Sequence, residues 1–375
     1  MAQRILISVT SDMVTDQRVT RMASTLKEAG YRVLVIARAL RTSTELTPKR
    51  YRTIRFKLWF EKGPLFYFSF NLRLFWYLIW HHADILVAND LDTLLPNYLV
   101  SRIKRIPLVY DSHEYFTGVP ELEGRPKVKN FWKSIEKFSL PGLKHTITVN
   151  QSIANIYDKE YGTTFQIIRN VPEVSLPFMA KKQDLRFSLH LPIDKKIIIL
   201  QGAGINIQRG AEEAVEAMKY LKGTILLIVG GGDVIDQLKQ QVVDSGLTDS
   251  VLFISKQPLV TLRKYTAASD LGITLDKDSN INYRFSLPNK LFDYIQAGIP
   301  VLASNLPEVR RVIETYDVGR ISEDHDPRNI ARIMQEMLHD EKANAQWKIN
   351  TEKASKELNW EKEREKLLRI FKHID

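Results

Sequence analysis

Short apolar runs alternate with amphipathic stretches along the whole 375-residue chain. In the first half the runs are RILISVT, YRVLVIA, DILVAN, PLVYDS and HTITVN. Each is nearly continuous in apolar residues, the pattern of strands buried on both faces of a parallel sheet. Helical periodicities such as Gln17–Ala29 and Thr93–Lys104 lie between them. A polar, proline-containing stretch from Asn170 to Lys196 reads as a linker. The pattern then restarts with KIIILQGA, GTILLIVGG, SVLFIS, DLGITL and IPVLAS. Two such sets predict an α/β chain of two Rossmann-like, doubly wound domains, residues 1–180 and 181–355. The closing ELNWEKEREKLLRIFKHID predicts a charged amphipathic helix over 356–375 that crosses back onto the first domain. Two α/β domains facing one another would enclose a cleft, because ligands of open parallel sheets bind beyond the carboxyl ends of the strands.

The loops at those strand ends carry the candidate chemistry. Asp16, Gln17 and Arg18 stand at a helix N-terminus, where free N–H groups favour anions or ligand hydroxyls. The plainer alternative is an Asp N-cap with solvated neighbours. No GxGxxG follows the first strand, which disfavours a nicotinamide enzyme. Asp111, Ser112, His113 and Glu114 follow PLVY. They suggest an acid–base group, or else a helix cap and one buried histidine. No second cluster has ligand spacing, so no metal is expected.

In the second half, Gly202 and Gly204 allow close backbone approach, and Arg209 precedes the helix AEEAVEAM. A glycine-bearing loop, a cation and a helix N-terminus suit a diphosphate. The VGGGD turn adds Gly230, Gly231 and Asp233, and Lys256 lies beyond SVLFIS, placed for a nucleobase or phosphate edge. In SLPNKLFDYIQAGIPVLAS, Pro288 is expected to start a helix capped by Ser286. Asn289 and Lys290 then occupy its first turn and Asp293 lies about one turn on. Lys290 suits a phosphate, and Asp293 can accept hydrogen bonds from a ribose diol.

Charge changes the picture of partners. The net charge is +10, and residues 1–180 hold 25 Lys and Arg against 16 Asp and Glu, whereas the rest hold 29 against 28. A basic first half points to an anionic surface or ligand: nucleic acid, phospholipid headgroups or a phosphorylated lipid. No nucleic-acid-binding motif accompanies it, so no nucleic acid partner is expected. The stretch FYFSFNLRLFWYLIWHHADILVAND, from Phe66, is dense in aromatics but too short in its uncharged part to span a bilayer. It reads as a core helix leading into a strand. Alternatively its aromatic face, with Lys57, Lys62 and Arg73, meets an anionic membrane interface. The absence of cysteine excludes disulfides and thiolate metal sites and fits a cytoplasmic setting. The start, MAQRILISVT, reads as a strand and not as a signal peptide.

The order and spacing of DQRVTRMASTLKEAGYRVLVIA, NDLDTLLP, VYDSHE, TVNQSIANIY, RNVPE, QGAGINIQRG, LLIVGGGD, YTAASDLGITL and SLPNKLFDYIQAGIPVLAS resemble the retaining glycosyltransferases of the GT-B fold. The similarity is to their large family-4 group, in its variant with a KLF(E/D)Y motif, and spans nearly the whole chain. The resemblance implies a nucleotide-sugar donor, UDP- or GDP-linked, held mainly by the second domain, and an acceptor held mainly by the first. By the same resemblance Arg209 matches a diphosphate-binding cation, Lys290 lies in the motif, Asp293 replaces a ribose-holding glutamate, and His113 matches a histidine at the transferred sugar. One departure is Phe285, eight positions before Asp293, where members often carry a first glutamate. Another is the GAG turn, which lacks a cation many members have.

The implied reaction moves a sugar to an acceptor hydroxyl with retained configuration, by front-side attack in which the leaving diphosphate helps take the proton. No cofactor is implied, and His113, Arg209 and Lys290 are the expected catalytic groups. A glycan or lipid-linked acceptor at the inner face of the cell membrane would account for the basic first half, within surface polysaccharide or glycolipid synthesis. A nucleotide-sugar epimerase of the same fold would act on donor alone. A non-catalytic relative would bind neither nucleotide nor sugar well.

Overall fold

The computed structural model describes residues 2–14, 16–174 and 181–374. The chain divides into two compact units, Met1–Asn170 with Trp360–Asp375, and Val171–Asn359. The expected boundary at residue 180 falls on residues 175–180, outside the described residues.

Unit 1 holds seven strands: β1 (Arg4–Ser8), β2 (Arg32–Ala39), β3 (Arg52–Lys57), β4 (Ile85–Asn89), β5 (Leu108–Ser112), β6 (His145–Thr148) and β7 (Gln166–Ile167). They pair in parallel in the order β3-β2-β1-β4-β5-β6-β7. The central strand β1 registers Ile5 against both Val33 and Ile85. Ile5, Ile7, Val33, Val35, Ile85 and Val87 point to one face, where the helix Gln17–Glu28 and the C-terminal helix Trp360–Lys372 cover them. Trp360 Nε1 donates to Thr25 Oγ1 at 3.0 Å, and the Tyr31 and Phe371 rings meet edge to face. The alternate residues turn to the other face, which right-handed crossovers cover with helices Gly63–Trp80, Leu91–Lys104 and Pro126–Ser139. The sequence pattern misses β3 and β7. In β3 charged residues interrupt the apolar run at the sheet edge, and β7 is two residues long.

Unit 2 repeats the plan with β8 (Lys196–Gly202), β9 (Thr224–Gly230), β10 (Val251–Ile254), β11 (Leu271–Thr274), β12 (Val301–Ser304) and β13 (Gly319–Ser322). The order is β10-β9-β8-β11-β12-β13, again parallel throughout. Much of the stretch expected as a linker belongs to this unit's core. Val171, Leu185 and Leu191 are buried in it, and the helix Lys182–Ser188 is tied down by Arg186, which donates to Ala268 O at 2.9 Å and pairs with Asp270 at 2.6 Å. At the other end, Leu358 is buried in unit 2, so the change of unit falls between Asn359 and Trp360. Among the described residues no helix is long and apolar enough to cross a membrane.

Candidate active site

Each sheet reverses its strand order at one place, between β1 and β4 in unit 1 and between β8 and β11 in unit 2. Crevices outside the carboxyl ends of strands at such points are where α/β sheets bind ligands.

In unit 2 the helix Asn289–Gln296 is fixed to this point by its apolar side. Leu291, Phe292, Tyr294 and Ile295 are buried. The Tyr294 hydroxyl reaches Ile199 O at 3.2 Å on β8 and Ile273 O at 3.1 Å on β11. A Cβ at residue 272 would overlap the Tyr294 ring, so Gly272 lets the ring lie across the strand. With that side anchored, Lys290 and Asp293 are left on the side toward the strand ends. Helix and cap differ from the sequence expectation. Pro288 stays extended in the N-cap position, with ψ 138°, and Ser286 does not cap. The Ser286 hydroxyl is instead buried without a hydrogen-bond partner.

Lys290 and Arg209 converge on one carboxylate. Asp276, 1% exposed and two residues past β11, lies 2.9 Å from Arg209 Nη1 and 3.6 Å from Lys290 Nζ. Arg209 also stacks over the Tyr283 ring at 4.3 Å. Burial lowers the Lys290 pKa; Asp276 opposes that shift and Arg209 adds to it. Two basic side chains thus share a single buried acid. Asp293 accepts from Gln201 Nε2 at 3.0 Å, and Gln201 in turn accepts from Thr266 at 2.6 Å, which fixes the carboxylate's direction. Asn289 is exposed at the start of the helix.

The glycine loops after β8 and β9 hold each other. Ile205 N donates to Gly231 O at 2.8 Å, and Gly231 N to Gly202 O at 3.2 Å. Gly230 has φ 142°, and a Cβ on it would run into Gly202 O; one on Gly232 would run into Ile205 O. The two compulsory glycines are thus required by loop packing. Gly202 and Gly204 meet no such obstacle, a Cβ at either making only ordinary contacts. Asp233 braces the same loops, accepting from Ile207 N at 3.2 Å, and the Lys256 side chain lies across Gly231.

Unit 1 gathers acids around His113. Asp90, just past β4, accepts from His113 N at 2.8 Å and pairs with its Nδ1 at 3.1 Å. His113 Nε2 lies 3.4 Å from Asp111 Oδ2. Burial works against charging this imidazole, and Asp90 and Asp111 overcome it, raising the pKa to about 10. His113 is therefore a cation at neutral pH, suited to electrostatic work rather than to taking a proton. Asp90 holds φ 58° and ψ 166°, a backbone region nearly confined to glycine, and such strain concentrates at functional sites. Beside it Asp92, 7% exposed, accepts from Thr10 while its Oδ1 is buried without a partner. Burial, with Asp90 adding to it, lifts the Asp92 pKa to about 7.

Two expected ligand contacts have other work here. Arg18 is 4% exposed, forks onto Asp111 at 2.6 and 3.0 Å and donates to Ile168 O at 2.9 Å. It is a buried clamp that sets Asp111 beneath His113. Asp16 caps its helix by accepting from Val19 N at 2.9 Å. Gln17 and Glu114 are exposed.

Comparison with known proteins finds a family match for each half of the chain. Residues 16–172 match the family described as Glycosyltransferase Family 4, and residues 181–354 match Glycosyl transferases group 1. The chain belongs to the GT-B glycosyltransferases. Sucrose-phosphate synthase from Thermosynechococcus elongatus superposes on this glycosyltransferase with TM-score 0.80 at 18% identity, over 99% of this chain and 98% of that one. Anabaena Alr3699/HepE, solved in complex with UDP and glucose, gives TM-score 0.77 at 16% identity over 99% of both chains. Among curated relatives, the amylovoran biosynthesis glycosyltransferase AmsK of Erwinia amylovora is 27% identical over 154 residues, 40% of this chain. The matched stretch spans 37% of that relative's own length.

Sequence reading of this glycosyltransferase misses Asp90, Asp92 and Asp276 as site residues. All three are acids one to three residues past a strand end, in NDLD and TLD. That placement is the only trace they leave.

Proposed function

We propose that the chain transfers a sugar, of the hexosyl class, from a UDP- or GDP-linked donor to a hydroxyl of a glycan or lipid-linked acceptor, with retained configuration. The observation that carries this reading is the convergence of Arg209 and Lys290 on buried Asp276 at the unit 2 switch point, beside the paired glycine loops. A pyrophosphate placed there meets two cations. Asp293, oriented by Gln201, suits a ribose diol, and Lys256 suits the base or phosphate edge. The similarity to a protein solved with UDP and glucose supports the same choice.

In this mechanism bond breaking places negative charge on the departing diphosphate. Arg209 and Lys290 stabilise it where it develops, already oriented and partly desolvated. The acceptor hydroxyl attacks from the leaving-group side, and its proton passes to the diphosphate oxygen. His113, held charged by Asp90 and Asp111, matches by resemblance a histidine that touches the transferred sugar, and in that role it would stabilise the oxygen-rich face without changing protonation. Acceptor hydroxyls fall to unit 1, around the acids gathered at His113. The setting we favour is the inner face of the cell membrane, in synthesis of a surface polysaccharide or glycolipid.

The test is nucleotide release from UDP-glucose and GDP-mannose, with and without a polyprenyl-diphosphate-linked sugar acceptor, followed by proton NMR of the product anomer. Acceptor-dependent release, lost in Arg209→Ala, and an axial product from an axial donor support the reading. Isomerised donor without acceptor would favour the epimerase, and an inverted product would remove the retaining mechanism.

A further inference from the structure

The aromatic stretch lies in the 18-residue helix Gly63–Trp80, which carries two apolar stripes. Phe66, Phe70, Leu74 and Leu78 form the buried one. Leu65, Phe68, Leu72, Trp76 and Trp80 repeat at three- and four-residue steps on the opposite side and are exposed, Trp76 at 52% and Trp80 at 75%. One stripe suffices to seat a helix on a sheet. The second leaves an apolar surface of the kind that marks an interaction site.

Its neighbours extend that surface. Tyr67 meets Trp132 of the helix Pro126–Ser139 with ring centroids 5.2 Å apart, and Tyr98 of the helix Leu91–Lys104 meets Phe138 at 5.4 Å. Lys104 Nζ donates to Leu78 O at 2.7 Å, joining the ends of two of the helices. Ile103, Phe131 and Phe138 are exposed on these neighbours. Charge on the three helices is one-sided. Gly63–Trp80 contains no acid, and the acids of the other two, Asp92 and Glu136, are buried. Arg73, Arg102, Lys127 and Lys137 are exposed.

At the amino ends of β5 and β6 this surface meets a cavity of about 320 Å³ lined by Arg102, Arg105, Lys144 and His145, with no carboxylate in its lining. Arg102 is fixed there by Gly142 O at 3.0 Å and the Tyr98 hydroxyl at 3.3 Å. A Cβ on Gly142 would displace the guanidinium. The cavity lies at the opposite end of the sheet from His113, so the sugar chemistry does not account for it.

We propose that the outer face of these three helices docks on an anionic phospholipid bilayer, with a lipid phosphate seated among Arg102, Arg105 and Lys144. The helix Gly63–Trp80, about 27 Å long, lies in the interface plane with its second stripe among the acyl chains, as amphipathic interfacial helices do. The basic charge of the first half supplies the attraction to anionic lipid. This deepens the membrane setting given above, but it rests on helices and cavity alone, and its test uses neither donor nor acceptor. Either reading can fail without the other.

The full chain is sedimented with vesicles of phosphatidylcholine alone and of phosphatidylcholine with phosphatidylglycerol, while tryptophan emission is followed. Binding to the anionic vesicles with a blue shift is expected, and none to the neutral ones. Arg102→Ala with Arg105→Ala and Lys144→Ala should weaken binding about a hundredfold, roughly fivefold per cation. Trp76→Ser with Trp80→Ser should abolish most of the blue shift. A charge-matched control, Lys342→Ala with Lys348→Ala and Lys353→Ala on unit 2, should bind as wild type, and equal thermal midpoints certify folding. Equal losses in both triple variants would overturn the proposal, as would wild-type binding by the pocket variant. Saturation of the pocket by inorganic phosphate with no vesicle binding would assign it to a free anion and overturn the docking.

Discussion

Replacing Asp276 by Asn removes the carboxylate shared by Arg209 and Lys290 and leaves two cations side by side. At 2.9 and 3.6 Å, with an effective dielectric of about 20, the gross attractions lost are about 5 kcal/mol each. The net cost is smaller, since Arg209 is 27% exposed and burying the acid had its own penalty. Breaking one partner out of a buried pair costs about 3–5 kcal/mol, and the lower end applies here. For a unit of this size about 3 kcal/mol lowers the thermal midpoint by roughly 6–12 °C. A nucleoside diphosphate supplies the missing negative charge, so UDP or GDP should restore more stability to the variant than it adds to wild type. At a hundredfold excess over Kd that restoration is about 2.7 kcal/mol. Scanning calorimetry of both proteins with and without nucleotide reads all four midpoints. A variant as stable as wild type without nucleotide would refute the shared-carboxylate reasoning. A nucleotide shift no larger than wild type's would refute the diphosphate part.

Other consequences are as specific. His113 has a folded pKa of about 10 against 6.5 unfolded, so its contribution is complete below pH 6.5 and is lost as pH rises towards 10. Urea unfolding should show a gap between wild type and His113→Gln on the order of 3 kcal/mol at pH 6 that closes by pH 10. Gly230→Ala forces a Cβ into Gly202 O at φ 142° and should cost more than about 3 kcal/mol, read as a lowered unit 2 midpoint. Trp360→Ala removes a 4%-exposed indole and the Thr25 hydrogen bond, which should destabilise unit 1 by about 3–5 kcal/mol in chemical denaturation. Transfer should survive EDTA, because Arg209 and Lys290 meet the diphosphate charge; activity restored only by added divalent metal would contradict that assignment.

The doubly wound plan was legible because its central strands are buried on both faces and read as continuous apolar runs. The edge strands β3 and β13 were not, since Arg52, Arg55 and Arg320 interrupt them where one side is open. At the site, Arg209, Lys290 and His113 could be named from loop position and family resemblance. Their counter-ions could not. Asp276 lies 67 residues from Arg209, and Asp90 lies 23 from His113. Only the sheet order brings those pairs together. The reverse holds for Arg18, whose polar character suggested ligand contact but which serves as a buried clamp, while for Asp16 the structure shows the plainer alternative, a helix cap. The glycines of VGGGD likewise looked like a ligand cradle, while the constraint on Gly230 comes from the neighbouring loop.

The most direct measurement is calorimetric titration of UDP and GDP into wild type and into Arg209→Ala with Lys290→Ala. Binding of one nucleotide to wild type, weakened at least about a hundredfold in the double variant, is the predicted result, with each cation's charge-assisted bonds contributing about 1.5–3 kcal/mol. Failure of both nucleotides to bind wild type, or equal binding by the double variant, would contradict a donor site built on Arg209 and Lys290.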